Sequence, residues 1–281
     1  MEREIEQLAH QAREGDGEAL ERLIMEIYGD IHGLSLRMLG FASDAEDAAQ
    51  EIMIKIITHL STFRGESTFK TWSFRIAINH LLSFRKTLAE KKDIDFNLWE
   101  QLGDRTDPTF DHDSLPGTDK MLLMEEVRIG CMQGMLQCLD KRVRIAVILG
   151  ELFEVTSEEG AVILGITPAA FRKRLSRGRE QLTGFMRKNC GLVNSRNHCR
   201  CVNLIGPDIR DKWIDPENLQ FVGPRCRTKI DVGIRDRLEE LDEISRAIEL
   251  FHSYPEYDGP PETIVDLVKK MIDSREYEIL S

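Results

Sequence analysis

The sequence predicts an all-α protein: two helical domains joined by a flexible linker, with a small, mostly helical C-terminal extension. Three observations predict it. Apolar residues recur every three to four positions along most of the 281 residues, the period of a helix with one buried face. Helix-start signals precede several of these stretches. The periodicity lapses over 87–120 and again after Cys190, where prolines and glycines gather and turns or loops are expected. No segment reads as a convincing sheet, with short strands between 202 and 230 left open.

In order along the chain, helices are expected over 4–13 and 17–39, with Ile5, Leu8, Ala9, Ala12, Leu20, Leu23, Ile24, Ile27, Ile31 and Leu34 facing inward. Ser43 is placed to cap the next helix, with Glu46 three residues on as a capping box. Ser61–Ser67 is a polar loop containing Gly65. Thr68 to Lys86 is helical again, with Trp72, Ile76 and Leu82 as core candidates. Helices resume at 121–139, 140–153, 157–164 and 168–188, and again at 234–251 and 262–274. The resulting domains are 1–90, a linker over 91–120, 121–189, and an extension over 190–281.

Net charge is −11, which for the whole chain argues against a polyanion as partner. The distribution reverses that reading. Residues 63–92 carry +5 and residues 170–201 carry +8, while the segments around them are acidic. The Debye length is about 8 Å at physiological salt, so a ligand senses the islands rather than the total. No apolar leader opens the chain and no run reaches a membrane span, so a cytoplasmic protein without membrane insertion is expected. No nucleophile–base pair or paired-carboxylate site stands out, so an enzyme is not expected.

The most specific local pattern runs from Thr156 to Leu182. A short helix leads to Leu164-Gly165-Ile166, where glycine can adopt a left-handed corner. Thr167 is placed to cap the second helix and Pro168 occupies its first position, where a missing N–H costs nothing. Ala161, Leu164, Ile166, Phe171, Leu175 and Leu182 fall at core spacing, while Arg172, Lys173, Arg174, Arg177 and Arg179 lie on the opposite face. A basic helix opened by the small Ala169 and Ala170 suits a major groove.

Asp44-Ala-Glu-Asp-Ala-Ala-Gln-Glu51, Phe63-Arg-Gly-Glu-Ser-Thr-Phe-Lys-Thr-Trp72, Arg75-Ile-Ala-Ile-Asn79, Leu164-Gly-Ile-Thr167 and Phe171-Arg-Lys-Arg-Leu-Ser-Arg-Gly-Arg-Glu180 occur in that order. Together they resemble the sigma-70 family of RNA polymerase sigma factors, in its extracytoplasmic-function group. The resemblance covers about residues 8–90 (region 2) and 121–188 (region 4). It implies a transcription initiation factor that brings core RNA polymerase to promoter DNA with specific −10 and −35 elements. An anti-sigma factor is a further candidate partner. The resemblance assigns Asp44, Asp47, Gln50 and Glu51 to docking on polymerase. It assigns Arg64, Glu66, Ser67 and Lys70 to a loop that captures a base flipped out of the −10 element. Asn79 would read the adjoining DNA, with Arg75, Arg85 and Lys86 near phosphates and Trp72 and Phe74 able to stack on bases. Ala169, Arg172, Lys173, Arg174 and Arg177 would meet the −35 element. Gly160 and Gly178 depart from the family pattern, and each glycine costs about 0.5–1 kcal/mol of helix stability relative to alanine.

The extension carries ligand-type residues. Cys190, His198, Cys199, Cys201 and Cys226 offer sulfur and nitrogen donors for zinc, although their spacing is not that of a standard finger. The bases Arg196 and Arg200 are expected to lower the thiol pKa values and favour thiolate. Metal binding, redox sensing and an inert reduced cluster all stay open at this stage. Cys131 and Cys138 read as buried core. No cofactor is required for the sigma role. Two other function classes are open from the residues alone: a helix-turn-helix regulator that works without polymerase, and a metal or redox sensor. The first leaves the Phe63–Trp72 loop unexplained.

Overall fold

The computed structural model describes residues 2–84, 94–111, 119–222, 234–255, 257 and 259–274. Its elements are helices, with no strand among the described residues. By contact the chain divides into two compact units. One comprises 1–85, 158–168 and 256–281, and the other comprises 86–157 and 169–255.

In the first unit, α1 (Glu2–Arg13), α2 (Gly17–Leu39), α3 (Ala42–His59) and α4 (Phe69–Ser83) pack into a bundle around α2. Asp16 starts α2 by accepting hydrogen bonds from the N–H groups of Glu18 and Ala19, each at 3.0 Å. The periodicity expected from the sequence is the one that is buried: Leu20, Leu23, Ile24, Ile31 and Leu34 of α2 meet Ala45, Ala48, Ala49, Ile52 and Ile56 of α3 in the interior. Fully burying a side chain of this size is worth about 1.5–3 kcal/mol. Two local expectations fail. Helix α3 begins at Ala42, with Phe41 at the cap position and no side-chain cap bond, so Ser43 lies within its first turn. The chain leaves α2 through the left-handed Gly40 and turns at once, which starts α3 before Ser43 can cap it. In α4 the inward face runs through Phe69, Phe74, Ala77, Ile78 and Leu81, which rotates Leu82 outward to 42% exposure and leaves Ile76 and Trp72 half-buried.

The C-terminal helix α13 (Glu262–Ser274) also belongs to this unit and packs on α2. Lys269 lies 3.4 Å from Glu21, and the Tyr257 ring meets His32 edge-on at 5.1 Å. The short helix α8 (Ser157–Leu164) ends at Gly165, which takes the expected left-handed conformation at φ 61°.

The second unit is organised around α6 (Lys120–Gln137), which buries residues on all sides. Against it lie α5 (Phe96–Gly103), α7 (Lys141–Val147) and α10 (Cys201–Arg210). Helix α5 falls inside the expected linker, so that segment is not wholly irregular; Asp95 caps it by accepting the Leu98 N–H at 2.8 Å. A π turn at Ile148–Leu152 extends α7, and α9 (Pro168–Asn189) follows the corner after α8. Residues 234–251 are two helices rather than one, α11 (Ile234–Glu239) and α12 (Glu243–His252). Asp242 breaks them by capping α12, accepting the N–H groups of Ile244 at 2.9 Å and Ser245 at 3.1 Å. Helix α12 packs on the π turn.

Polar side chains inside this unit bind the extension to α6. The buried Glu126 carboxylate accepts backbone N–H groups from Gln220 at 2.6 Å, Phe221 at 2.9 Å and Val222 at 3.0 Å. Arg128 donates to the Ser253 hydroxyl at 2.7 Å, and the Tyr254 hydroxyl donates to Gln133 at 3.2 Å.

Candidate nucleic-acid interface

The loop between α3 and α4 is anchored at both ends and open in the middle. Phe63 is buried, with its ring 5.3 Å from Phe69 and 5.5 Å from Trp72. Arg13 donates to the Phe63 carbonyl at 2.9 Å, and the Phe69 N–H donates to Glu6 at 2.5 Å. Thr68 caps α4 by accepting the Thr71 N–H at 3.2 Å. Between these anchors Gly65 takes φ 71°, a left-handed turn that favours glycine. The result is a short arch that presents Arg64 and Glu66 to solvent and Ser67 half-exposed.

Helix α4 continues that surface. Arg75 and Asn79, one turn apart, are exposed. Lys70 stands 3.7 Å from Asp30 and 5.5 Å from the Phe74 ring centroid. Phe74 itself is 1% exposed, so it cannot stack on a base as expected; it is part of the core. Trp72 keeps one edge accessible within the aromatic cluster of Phe63 and Phe69. Arg85 and Lys86 lie outside the described residues.

On α3, Asp47, Gln50 and Glu51 are exposed and Asp44 is half-exposed, while Ala45, Ala48, Ala49 and Ile52 fill the opposite, buried face. The four polar residues therefore share one surface at helical spacing. Glu51 lies 3.6 Å from the His80 ring. Burial, with Lys55 2.6 Å from the other ring nitrogen, lowers the His80 pKa and keeps the ring neutral near pH 7.

Helix α9 separates its faces sharply. Phe171, Gly178, Leu182 and Met186 are buried. Ala169, Arg172, Lys173 and Arg177 are exposed, and Arg174 is half-buried. Arg172 donates to the Ser157 hydroxyl at 3.1 Å. Arg179 turns away from that face to pair with the buried Glu151. Gly178 is a requirement of packing: a Cβ there would lie 2.2 Å from a Val147 methyl and 3.0 Å from one of Val143. The glycine that looked like a loss of helix stability lets α9 approach α7.

The cysteine-rich segment behaves differently from its sequence expectation. Cys190 and Cys199 are bridge partners, and Cys201 is the first residue of α10. His198 is largely exposed and pairs with Asp104 at 3.1 Å. Cys226 lies outside the described residues. Burial pushes the thiol pKa values of Cys190 and Cys201 up and that of Cys199 to about 12. The expected lowering by Arg200 is present at Cys190 and Cys199 but smaller than the desolvation; its guanidinium donates to the carbonyls of Ser195, Asn197 and Cys199. No three His, Cys, Asp or Glu side chains among the described residues already stand as a metal-holding group. Nor is any described helix long and apolar enough to cross a membrane.

Sequence reasoning missed two features: the docking of Tyr257 and α13 on α2, and the Glu126 carboxylate that gathers the N–H groups of residues 220–222. The first had a signal in the apolar stripe of α13, but its partner face on α2 is invisible in one dimension.

Comparison with known proteins agrees with this geometry. Residues 23–90 match the family model for sigma-70 region 2, and residues 129–182 match that for sigma-70 region 4. The RNA polymerase sigma-H factor of Pseudomonas aeruginosa is 30% identical over 184 residues, covering 63% of this chain and 91% of that protein. The ECF RNA polymerase sigma-E factor of Escherichia coli K12 is 27% identical over 181 residues, covering 62% and 90%. That of Haemophilus influenzae is 29% identical over 175 residues, covering 62% and 91%. Among solved structures, CnrH in complex with the cytosolic domain of CnrY aligns with a TM-score of 0.47 at 20% identity, over 66% of this chain and 98% of that one. The region 4 model ends at residue 182, so the cysteine segment and the helices after it lie beyond it. A regulator acting without polymerase is thereby set aside, and so is an enzyme. The chain belongs to the sigma-70 family, as an extracytoplasmic-function sigma factor that directs RNA polymerase to promoters.

Proposed function

We propose that the four exposed surfaces divide promoter recognition as follows. The Asp44, Asp47, Gln50 and Glu51 face of α3 docks on core polymerase, where acids and amides meet basic and polar groups. The Arg64–Ser67 arch receives a base extruded from the −10 element. Extrusion costs a few kcal/mol, and hydrogen bonds to the exposed base edge offset it. Arg75 and Asn79, with Lys70, contact the DNA beside it. The N-terminal half of α9 enters the major groove at the −35 element, where Arg172 and Arg177 can form bidentate bonds to guanine and Lys173 meets phosphate.

The observation that carries this reading is the arch: an exposed Arg64-Gly65-Glu66 tip held by buried aromatic and hydrogen-bonded ends. A duplex-binding regulator has no use for it. The basic islands explain DNA affinity, and the net charge of −11 keeps the chain from binding DNA tightly until polymerase supplies more contacts. Joining two weak readers on one polymerase raises the effective concentration of each, so both promoter elements are needed at matching separation. An anti-sigma factor would silence the protein by covering the α3 or α9 surface.

Runoff transcription with core polymerase tests the assignment. Asp47→Lys with Glu51→Lys should abolish capture of core. Arg64→Ala with Glu66→Ala should spare capture and impair promoter melting. Arg172→Ala should weaken −35-dependent initiation, and Lys173→Ala, which loses one phosphate contact, should flatten the salt slope by about 0.9. Normal core capture by the double-lysine chain would refute the docking face.

A further inference from the structure

Four cysteines that the sequence alone assigns to different roles lie on or between three helices of the second unit. Cys131 lies on α6, Cys190 directly follows α9, Cys199 forms a backbone β-bridge with Cys190, and Cys201 opens α10. All are free thiols. Helix α10 packs along α6, and Cys199 and Cys201 border one apolar cluster with Leu123, Val127, Leu204 and Ile205. We infer that Cys131, Cys190, Cys199 and Cys201 form a four-thiolate zinc site that fastens the C-terminal extension to the first helix of region 4.

Several observations point the same way. The thiol of Cys131 is within electrostatic reach of Cys190, Cys199 and Cys201, and that of Cys201 is within reach of Cys190 and Cys199. The two backbone segments approach closely: a Cβ on Gly191 would sit 2.2 Å from the Cys199 carbonyl oxygen. Four thiolates around a divalent cation leave a net charge of about −2, and Arg200 lies near Cys190 and Cys199 while Arg128 lies near Cys201.

The chemistry selects zinc over the alternatives. An all-sulfur donor set favours zinc among the common divalent ions. An entering Zn2+ displaces one proton from each sulfur, so the four thiols bind it as thiolates. No three of these donors already stand at ligand spacing, so binding draws them together by side-chain rotation. His198 is excluded by its exposure and its pairing with Asp104. Cys138 is excluded because its thiol donates to the Gly134 carbonyl at 3.3 Å.

The full chain, purified from zinc-supplemented cells without chelator, should contain about one zinc per chain. Co2+ used as the probe should give the absorption of a tetrahedral all-thiolate site. Cys131→Ser, Cys190→Ser, Cys199→Ser and Cys201→Ser should each weaken metal binding at least tenfold. Cys138→Ser, Cys226→Ser and His198→Ala should leave it unchanged. If a serine variant fails to fold, the wild-type Co2+ spectrum decides: fewer than four thiolates overturns the site. Chelation should also speed amide exchange over 190–205 while α2 and α3 are unaffected. A chain that neither carries nor takes up zinc, full retention in Cys131→Ser, or loss in Cys226→Ser would each overturn the inference.

Discussion

Alanine at position 178 should destabilise this protein, although helix propensity alone says the opposite. An exposed glycine-to-alanine change inside a helix gains about 0.5–1 kcal/mol. At Gly178 the new Cβ would meet Val147 at 2.2 Å and Val143 at 3.0 Å, against ordinary contact distances of 3.4–4 Å. Something must move by more than an ångström. Val147 is 1% exposed and Val143 is 5% exposed, and a β-branched side chain in a helix has one strongly preferred rotamer. Relief therefore requires α9 to shift against α7, and overpacking of this kind costs about 1–3 kcal/mol. The net expectation for Gly178→Ala is a loss of about 0.5–2 kcal/mol. Gly184 provides the control on the same helix. It is exposed and nothing lies within 4 Å of its Cβ position, so Gly184→Ala should gain about 0.5–1 kcal/mol. Urea unfolding of the full chain followed by helical circular dichroism measures both. Equal shifts of the same sign in the two variants would refute the packing argument.

Three further outcomes are expected. Glu126→Gln places an amide donor against three backbone donors, so amide protection at 220–222 should fall roughly ten- to hundredfold, about 1–3 kcal/mol; unchanged exchange there would remove Glu126 as their anchor. Burial raises the Asp208 pKa to about 6 despite the opposing pull of Arg105. Its folded value lies above the ordinary 3.8, so folding takes up a proton and stability at this site grows as pH falls from about 6 towards 4. Carboxyl-carbon NMR should place the midpoint near 6, and a midpoint near 4 would contradict the burial. Thr68→Ala removes the α4 cap and should cost about 1 kcal/mol, seen as a lower urea midpoint; an unchanged midpoint would mean that the loop is held by Phe63 and Glu6 alone.

What was legible in the sequence depended on whether a signal was local. The periodicity of α2 and α3 and the left-handed corner at Gly165 are written in neighbouring residues, and they stand where expected. So do Arg172, Lys173 and Arg177 of α9, because one helical turn determines which side chains share a face, whereas Arg174 is half-buried and Arg179 turns aside to Glu151. Ser43 and Leu82 show where local rules stop. A cap is decided by how the preceding helix ends, and the inward face of α4 is set by the helices it meets. Cysteine chemistry was the least legible. Arg196 and Arg200 are close in sequence to the thiols, but burial beneath α6 outweighs their charge, and Cys131 lies 59 residues before Cys190.

The polar groups buried on α6 make that helix dependent on the extension. Glu126, Arg128 and Gln133 hydrogen-bond with residues 220–222, Ser253 and Tyr254 of the extension. A helix carrying these groups is ill-suited to standing without that cover, because a buried carboxylate or guanidinium left without partners costs more than an apolar side chain would. Removing the extension is therefore harmful to this chain whatever the extension does, and shortening the protein to the length of its plainer relatives requires these α6 residues to be replaced as well.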